Sequence, residues 1–141
     1  MTSAPVALPG IRRRLASAAY DFILLLGVVA AAFILPHVLI GLFFHITAPG
    51  PVLVAHLVIV LAVYFLWHWR HGGQTLAMKT WKIRLTAVNG GTPSWRQLIL
   101  RFLLAWPSIC CYGAGLLWAL FDRDRQFLHD RLAGTLIVFT K

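Results

Sequence analysis

From Phe22 to Trp69 the chain carries no Asp, Glu, Lys or Arg, and apolar side chains fill the stretch almost without interruption. The first apolar segment runs from about Leu15 to Phe44, roughly 45 Å if wholly helical and longer than a ~30 Å hydrocarbon core. Its early part is therefore expected in the interfacial layer, with Pro36-His37 as the point of a kink or an end. Ala48-Pro49-Gly50-Pro51 predicts a tight turn. Residues 52–69 form a second segment closed by the aromatic belt of Trp67 and Trp69. A third segment, 98–121, contains Arg101, Pro107, Gly113 and Gly115, so it either crosses straight or is broken or re-entrant around Trp106-Pro107-Ser108.

Between the second and third segments the pattern changes. Leu76 to Trp81 predicts a short amphipathic helix whose Lys79, with Lys82 beyond it, reaches for headgroups. Residues 82–88 alternate in the strand period, Asn89-Gly90-Gly91 is a turn signal, and Ser94-x-x-Gln97 is a capping box. A broken third segment would let Thr135–Phe139 pair with the 82–88 strand. The expected fold is an all-α membrane protein with three hydrophobic helical segments and a small cytoplasmic β-hairpin-like element. Residues 1–11 form a tail, and 12–139 one transmembrane domain.

Composition agrees. In 141 residues, 60% are hydrophobic and 12% charged, with a mean hydropathy of +0.78, which describes a multi-pass membrane protein. The net charge of +9 sits in blocks at the ends of apolar segments, a distribution that suits anionic headgroups better than nucleic acid. Lys and Arg precede the first segment, fill residues 70–97 and are missing from the Ala48 turn, so the N-terminus and the 70–97 loop are expected in the cytoplasm. The C-terminal tail, with Arg123, Arg125, Arg131 and Lys141, stays open: three straight crossings put it outside, a broken third segment returns it. Arg12-Arg13-Arg14 resembles the start of a signal peptide, but the apolar run is too long for one and reads as a retained span.

Candidate chemistry is sparse. Cys110 and Cys111 are adjacent, ill-placed for a mutual disulfide, and read as small buried hydrophobes. His37, His45, His56, His68, His71 and His129 lack the spacing of a metal site, and no cofactor is expected. No nucleophile–base pair is visible, so the chain is read as non-enzymatic. The informative residue is Asp21, one of four aspartates in a chain without glutamate. A carboxylate at the edge of a lipid-length apolar segment is normally paired, wetted or functional. Arg14 lies two turns away on the same face, too far for an intrahelical ion pair, so Arg101 is the expected partner.

Arg14-Leu-Ala-Ser-Ala-Ala-Tyr-Asp21, Gly73-Gln74-Thr75 with Lys79 and Ile83-Arg84, and the ending Asp122…Gln126…His129-Asp130…Gly134-Thr135 together resemble the RDD family of small membrane proteins over about residues 12–139. The resemblance implies that Arg14 (or Arg13) is the family arginine, Asp21 the first aspartate and Asp130, ahead of Asp122, the second. Gln74 and His129 are secondary candidates, and Ala77 stands where the family has glycine. The family's general role is not established; some members are associated with monovalent cation/proton antiport. Three short spans enclose no pathway, so a transporter requires a homo-oligomer or a membrane partner. The alternative is a non-enzymatic accessory or scaffold subunit.

Overall fold

The computed structural model describes residues 7–111 and 113–140; most of the expected tail, and Lys141, lie outside them. The first apolar run is one helical rod. It comprises α1 (Ile11–Val29), a five-residue π turn (Ala30–Ile34) and α2 (Leu35–Phe44). It begins before Leu15, and Pro36 does not end it. Proline lacks an N–H and crowds the carbonyl four residues earlier. The wider turn just before Pro36, in which Leu35 N–H reaches back to Ala30, absorbs that defect. The rod stops at His45, whose φ of 54° is left-handed.

Helix α3 (Gly50–Arg70) starts inside the predicted turn and outruns the predicted second segment by a residue or two at each end. Both rods are long and apolar enough to cross a membrane, and their most apolar stretches are 0% and 6% buried. Within a single chain these surfaces face outward, as a lipid-exposed span does.

The packed core sits at the Arg70 end. Trp69, Met78, Ile83, Leu85, Leu98, Phe102 and Ile137 form one cluster, flanked by Leu61, Ala62, Phe65, Leu66 and Trp81. It joins α3 to α4 (Leu76–Thr80), β1 (Ile83–Ala87), α5 (Trp95–Cys110) and β2 (Thr135–Phe139). Strands β1 and β2 pair antiparallel, with Ile83 opposite Phe139 and Ala87 opposite Thr135. The small sheet is thus made by strands far apart in sequence, not by a local hairpin. Two strands alone are marginal; burial of Ile83, Leu85 and Ile137 in the cluster supplies the missing stabilisation. The capping box starts α5 as expected, with Gln97 N–H bonded to Ser94 Oγ and Ser94 N–H to Gln97 Oε1.

The third segment is broken. Helices α5 and α6 (Ala114–Phe121) meet at 95°, but the break lies beyond the expected Trp106–Ser108. Pro107 is inside α5, and the turn comes where Gly113 adopts φ 73°. Gly115 makes the fold-back possible, because a Cβ there would lie 2.3 Å from Ser108 Cβ. Cys110 and Cys111 are free and exposed, not buried: they lie at the elbow, on a surface that α5 and α6 leave open. Helix α7 (Leu128–Ala133) then packs on α5 and leads through Gly134 into β2.

Candidate functional site

One face of α1 carries Arg14, Ser17 and Asp21, all buried, at the i, i+3, i+7 spacing of a single stripe. Polar groups on such a stripe need partners, and the loop after α3 supplies them. Gly73 turns with φ 69°, and a Cβ there would meet Leu85 O at 2.5 Å. Its carbonyl accepts from Leu85 N–H at 2.7 Å. Gln74 Nε2 donates to Ile83 O at 2.8 Å. Docked against β1 in this way, the loop points Thr75 inward. The Thr75 hydroxyl accepts from Met78 N–H as the N-cap of α4 and donates to Asp21 Oδ2 at 2.6 Å.

The second partner of Asp21 is Tyr64 of α3, whose hydroxyl donates to Oδ1 at 3.3 Å. Among the described residues no Lys, Arg or His lies within ion-pair distance of Asp21. The expected pairing with Arg101 does not form. Arg101 Nε instead donates to Asp130 Oδ1, and the guanidinium lies 4.2 Å over the Trp69 ring. Both Arg101 and Asp130 are buried, Asp130 to 1% exposure. Thr135 adds a long hydrogen bond of 3.4 Å to the same carboxylate oxygen. Helix α7 thereby fixes to α5, so the charge expected to answer Asp21 is consumed in the C-terminal cap, the unit formed by the 122–126 turn, α7 and β2.

Arg14, not Arg13, is the buried arginine; Arg13 stacks over Phe139 at 5.0 Å. Arg14 Nη1 donates to Arg125 O at 2.6 Å, while Nε and Nη2 bond nothing among the described residues. The opposite charges acting on it belong to Asp130 and Asp122. Asp122 is the organiser of the 122–126 turn. Its Oδ2 accepts from Gln126 N–H at 3.1 Å and Asp124 N–H at 3.2 Å, and Oδ1 accepts from Arg131. The Gln126 amide, then Arg131 and the Asp124 amide, outweigh burial and hold this carboxyl below the usual carboxylate range. His129 is buried against Phe127, and desolvation pushes it down to about 4 against the pull of Asp130.

The candidates therefore divide. Arg101 with Asp130, and Arg131 with Asp122, close the cap; Arg14 ties α1 to it; Asp21 meets Tyr64 and Thr75. Sequence reasoning missed Tyr64, whose signal was the one phenol in a span that is apolar but for His56 and His68. Thr75 was visible only as the end of a motif.

The RDD family profile matches residues 8–134. An uncharacterized protein of Rickettsia prowazekii (strain Madrid E) is 33% identical over 82 residues, covering 57% of this chain and 45% of that protein. The chain thus spans less than half the length of that relative. No solved structure matches it.

Proposed function

The chain belongs to the RDD family, and from that premise we propose that it is an integral membrane protein in which Asp21 exchanges a proton or a monovalent cation. The observation that carries this reading is the company Asp21 keeps: two hydroxyls and, among the described residues, no cationic side chain within ion-pair distance. A carboxylate locked to arginine is charge-balanced in place, as Asp130 is. A buried carboxylate with hydroxyl partners changes the net charge of its site whenever it gains or loses a proton or cation. Hydroxyls also suit the exchange, since each donates to the ionised form and can accept from the protonated one. Carboxylate and hydroxyl oxygens are the donors that hard cations prefer.

The outward-facing spans favour action as an assembly, most simply a homo-oligomer, because so little of either rod is covered within one chain. Positive charge before α1 and in 70–97 favours a cytoplasmic N-terminus and loop. Pairing of β2 with β1 favours the C-terminal cap on that same side, where exposed Arg12, Lys79, Lys82 and Arg96 suit anionic headgroups.

The test is proton and cation flux in proteoliposomes at several pH values. Asp21→Asn is expected to abolish exchange while the protein still inserts and assembles, and Thr75→Val and Tyr64→Phe to weaken it. Wild-type flux in correctly inserted Asp21→Asn would reject the proposal and favour an accessory or scaffold role.

A further inference from the structure

Between Phe22 and Trp69 the ionisable side chains are His37, His45, His56, Tyr64 and His68. Two of them meet across the spans. His37 Nε2 on α2 lies 2.9 Å from His56 Nδ1 on α3, with ring centroids 5.1 Å apart. Phe33 of the π turn covers both rings, at 5.1 and 5.5 Å. His37 sits about 10 Å of helix inside the Phe44 end, so the pair is within the span. No fixed charge lies on the facing parts of the two rods. His45 ends α2, and Tyr64 and His68 lie about 12 Å or more along α3 toward the other side. Ionisable groups at such a depth are expensive and mark proton or ion sites by default.

The geometry selects the ligand. A metal held tetrahedrally at 2.0–2.1 Å sets its nitrogens roughly 3.3 Å apart with both lone pairs aimed at the ion. At 2.9 Å the nitrogens face each other, and one must carry a hydrogen that the other accepts. We propose that His37 and His56 form a proton-holding pair inside the membrane, which takes up one excess proton and shares it across the Nε2–Nδ1 contact, in series with Asp21.

The bookkeeping of protons closes. With His37 donating through Nε2–H, its Nδ1 is a free base and His56 carries its other hydrogen on Nε2. A proton delivered by hydronium adds to His37 Nδ1. The bridging proton then passes to His56 Nδ1, and the proton on His56 Nε2 leaves to water, so one positive charge enters and one departs. His56 also lines a groove of about 410 Å³ with Val28, Ala32, Val60, Tyr64 and His68. Tyr64, which bonds Asp21, thus lines the same groove as His56.

The in-series part rests on the exchange reading of Asp21; the shared proton does not. The full-length protein, labelled with ¹⁵N-histidine in liposomes, is followed by solid-state NMR from about pH 4 to about pH 9. The pair is expected to show a ¹⁵N–¹⁵N coupling between His37 Nε2 and His56 Nδ1 through the hydrogen they share, and His37→Gln to abolish it. Absence of that coupling over the whole pH range overturns the shared proton, and the wild-type spectra alone decide this if a variant fails to insert. In flux assays His37→Gln and His56→Gln are expected to slow proton movement at least about tenfold. Unchanged flux in both, with Asp21→Asn inactive, removes the pair from the path and leaves Asp21 in it. Unchanged flux in Asp21→Asn rejects the exchange reading itself, and the ¹⁵N–¹⁵N coupling then judges the pair alone.

Discussion

Burial of His129 is expected to make stability fall between neutral pH and pH 5, by an amount that follows from the shift of the ring. The residue is 5% exposed, its Nδ1 bonds nothing among the described residues, and its Nε2 is 3.9 Å from Asp130 Oδ1. Desolvation pushes the ring down to about 4, with Arg101 assisting and Asp130 opposing. In the unfolded chain the ring regains its ordinary value near 6.5. Between those limits the unfolded chain binds a proton that the folded chain refuses, so stability is fully present above about 6.5 and declines as pH falls toward about 4. From pH 7 to pH 5 the linkage amounts to about 2 kcal/mol, and the whole window to about 3 kcal/mol. Asp122 does not confuse the result. Its carboxyl is held low, so its contribution is present above the ordinary carboxylate value and lost only as pH falls below it.

Thermal unfolding in detergent micelles, followed by tryptophan fluorescence, reads this directly. A loss of 2 kcal/mol corresponds to a Tm lower by roughly 4–8 °C at pH 5 than at pH 7. His129→Phe keeps an aromatic ring beside Phe127 and removes the titrating group, so its Tm should be nearly flat over the same interval. An undiminished fall in His129→Phe would refute burial of this ring as its origin.

The elbow and the cap yield two further expectations. Gly115→Ala places a methyl 2.3 Å from Ser108 Cβ and should cost about 1–3 kcal/mol by overpacking, recovered in part by Ser108→Gly; additive losses in the double variant would contradict this packing. Arg101→Leu strands the buried Asp130 carboxylate and should cost about 3–5 kcal/mol. Adding Asp130→Leu should restore much of that loss, and a double variant less stable than Arg101→Leu, measured by the same unfolding assay, would mean the two are not a closed pair.

Much of the architecture was legible because it follows from periodicity. The two spans, the capping box at Ser94, the break in the third segment and the strands at 82–88 and 135–139 all leave local signals. The errors have a common cause. A proline, a pair of cysteines or an isolated charge states what a residue needs and not where the chain will supply it. Pro36 is absorbed by a π turn, Pro107 is tolerated inside α5, and the turn waits for Gly113. Cys110 and Cys111 lie in an apolar run yet face outward, because at an elbow whose outer surface the chain leaves open apolar does not mean covered. Arg101 looked like the partner of Asp21 because Arg14 is too far along α1 and Arg101 is the cation placed early in the third segment. Its pairing with Asp130 depends on α7 folding back over α5, which no spacing along the chain encodes.

That exchange of partners bears on what the family residues do. Asp21, Asp122 and Asp130 are buried while Asp124 is exposed, and two of the three buried acids are answered by arginines. Those two hold the cap: Asp130 fastens α7 to α5, and Asp122 ties the 122–126 turn to α7. Arg14 reaches the carbonyl of Arg125 in that turn, so the start of α1 is anchored to the cap two helical turns before Asp21. The position of Asp21 is thus maintained by bonds that do not involve its own charge. A carboxylate held in this way can change protonation or bind a cation without dismantling its surroundings. On the proposed exchange reading, substituting Asp21 should therefore impair exchange far more than folding, whereas substituting Asp130 should do the reverse.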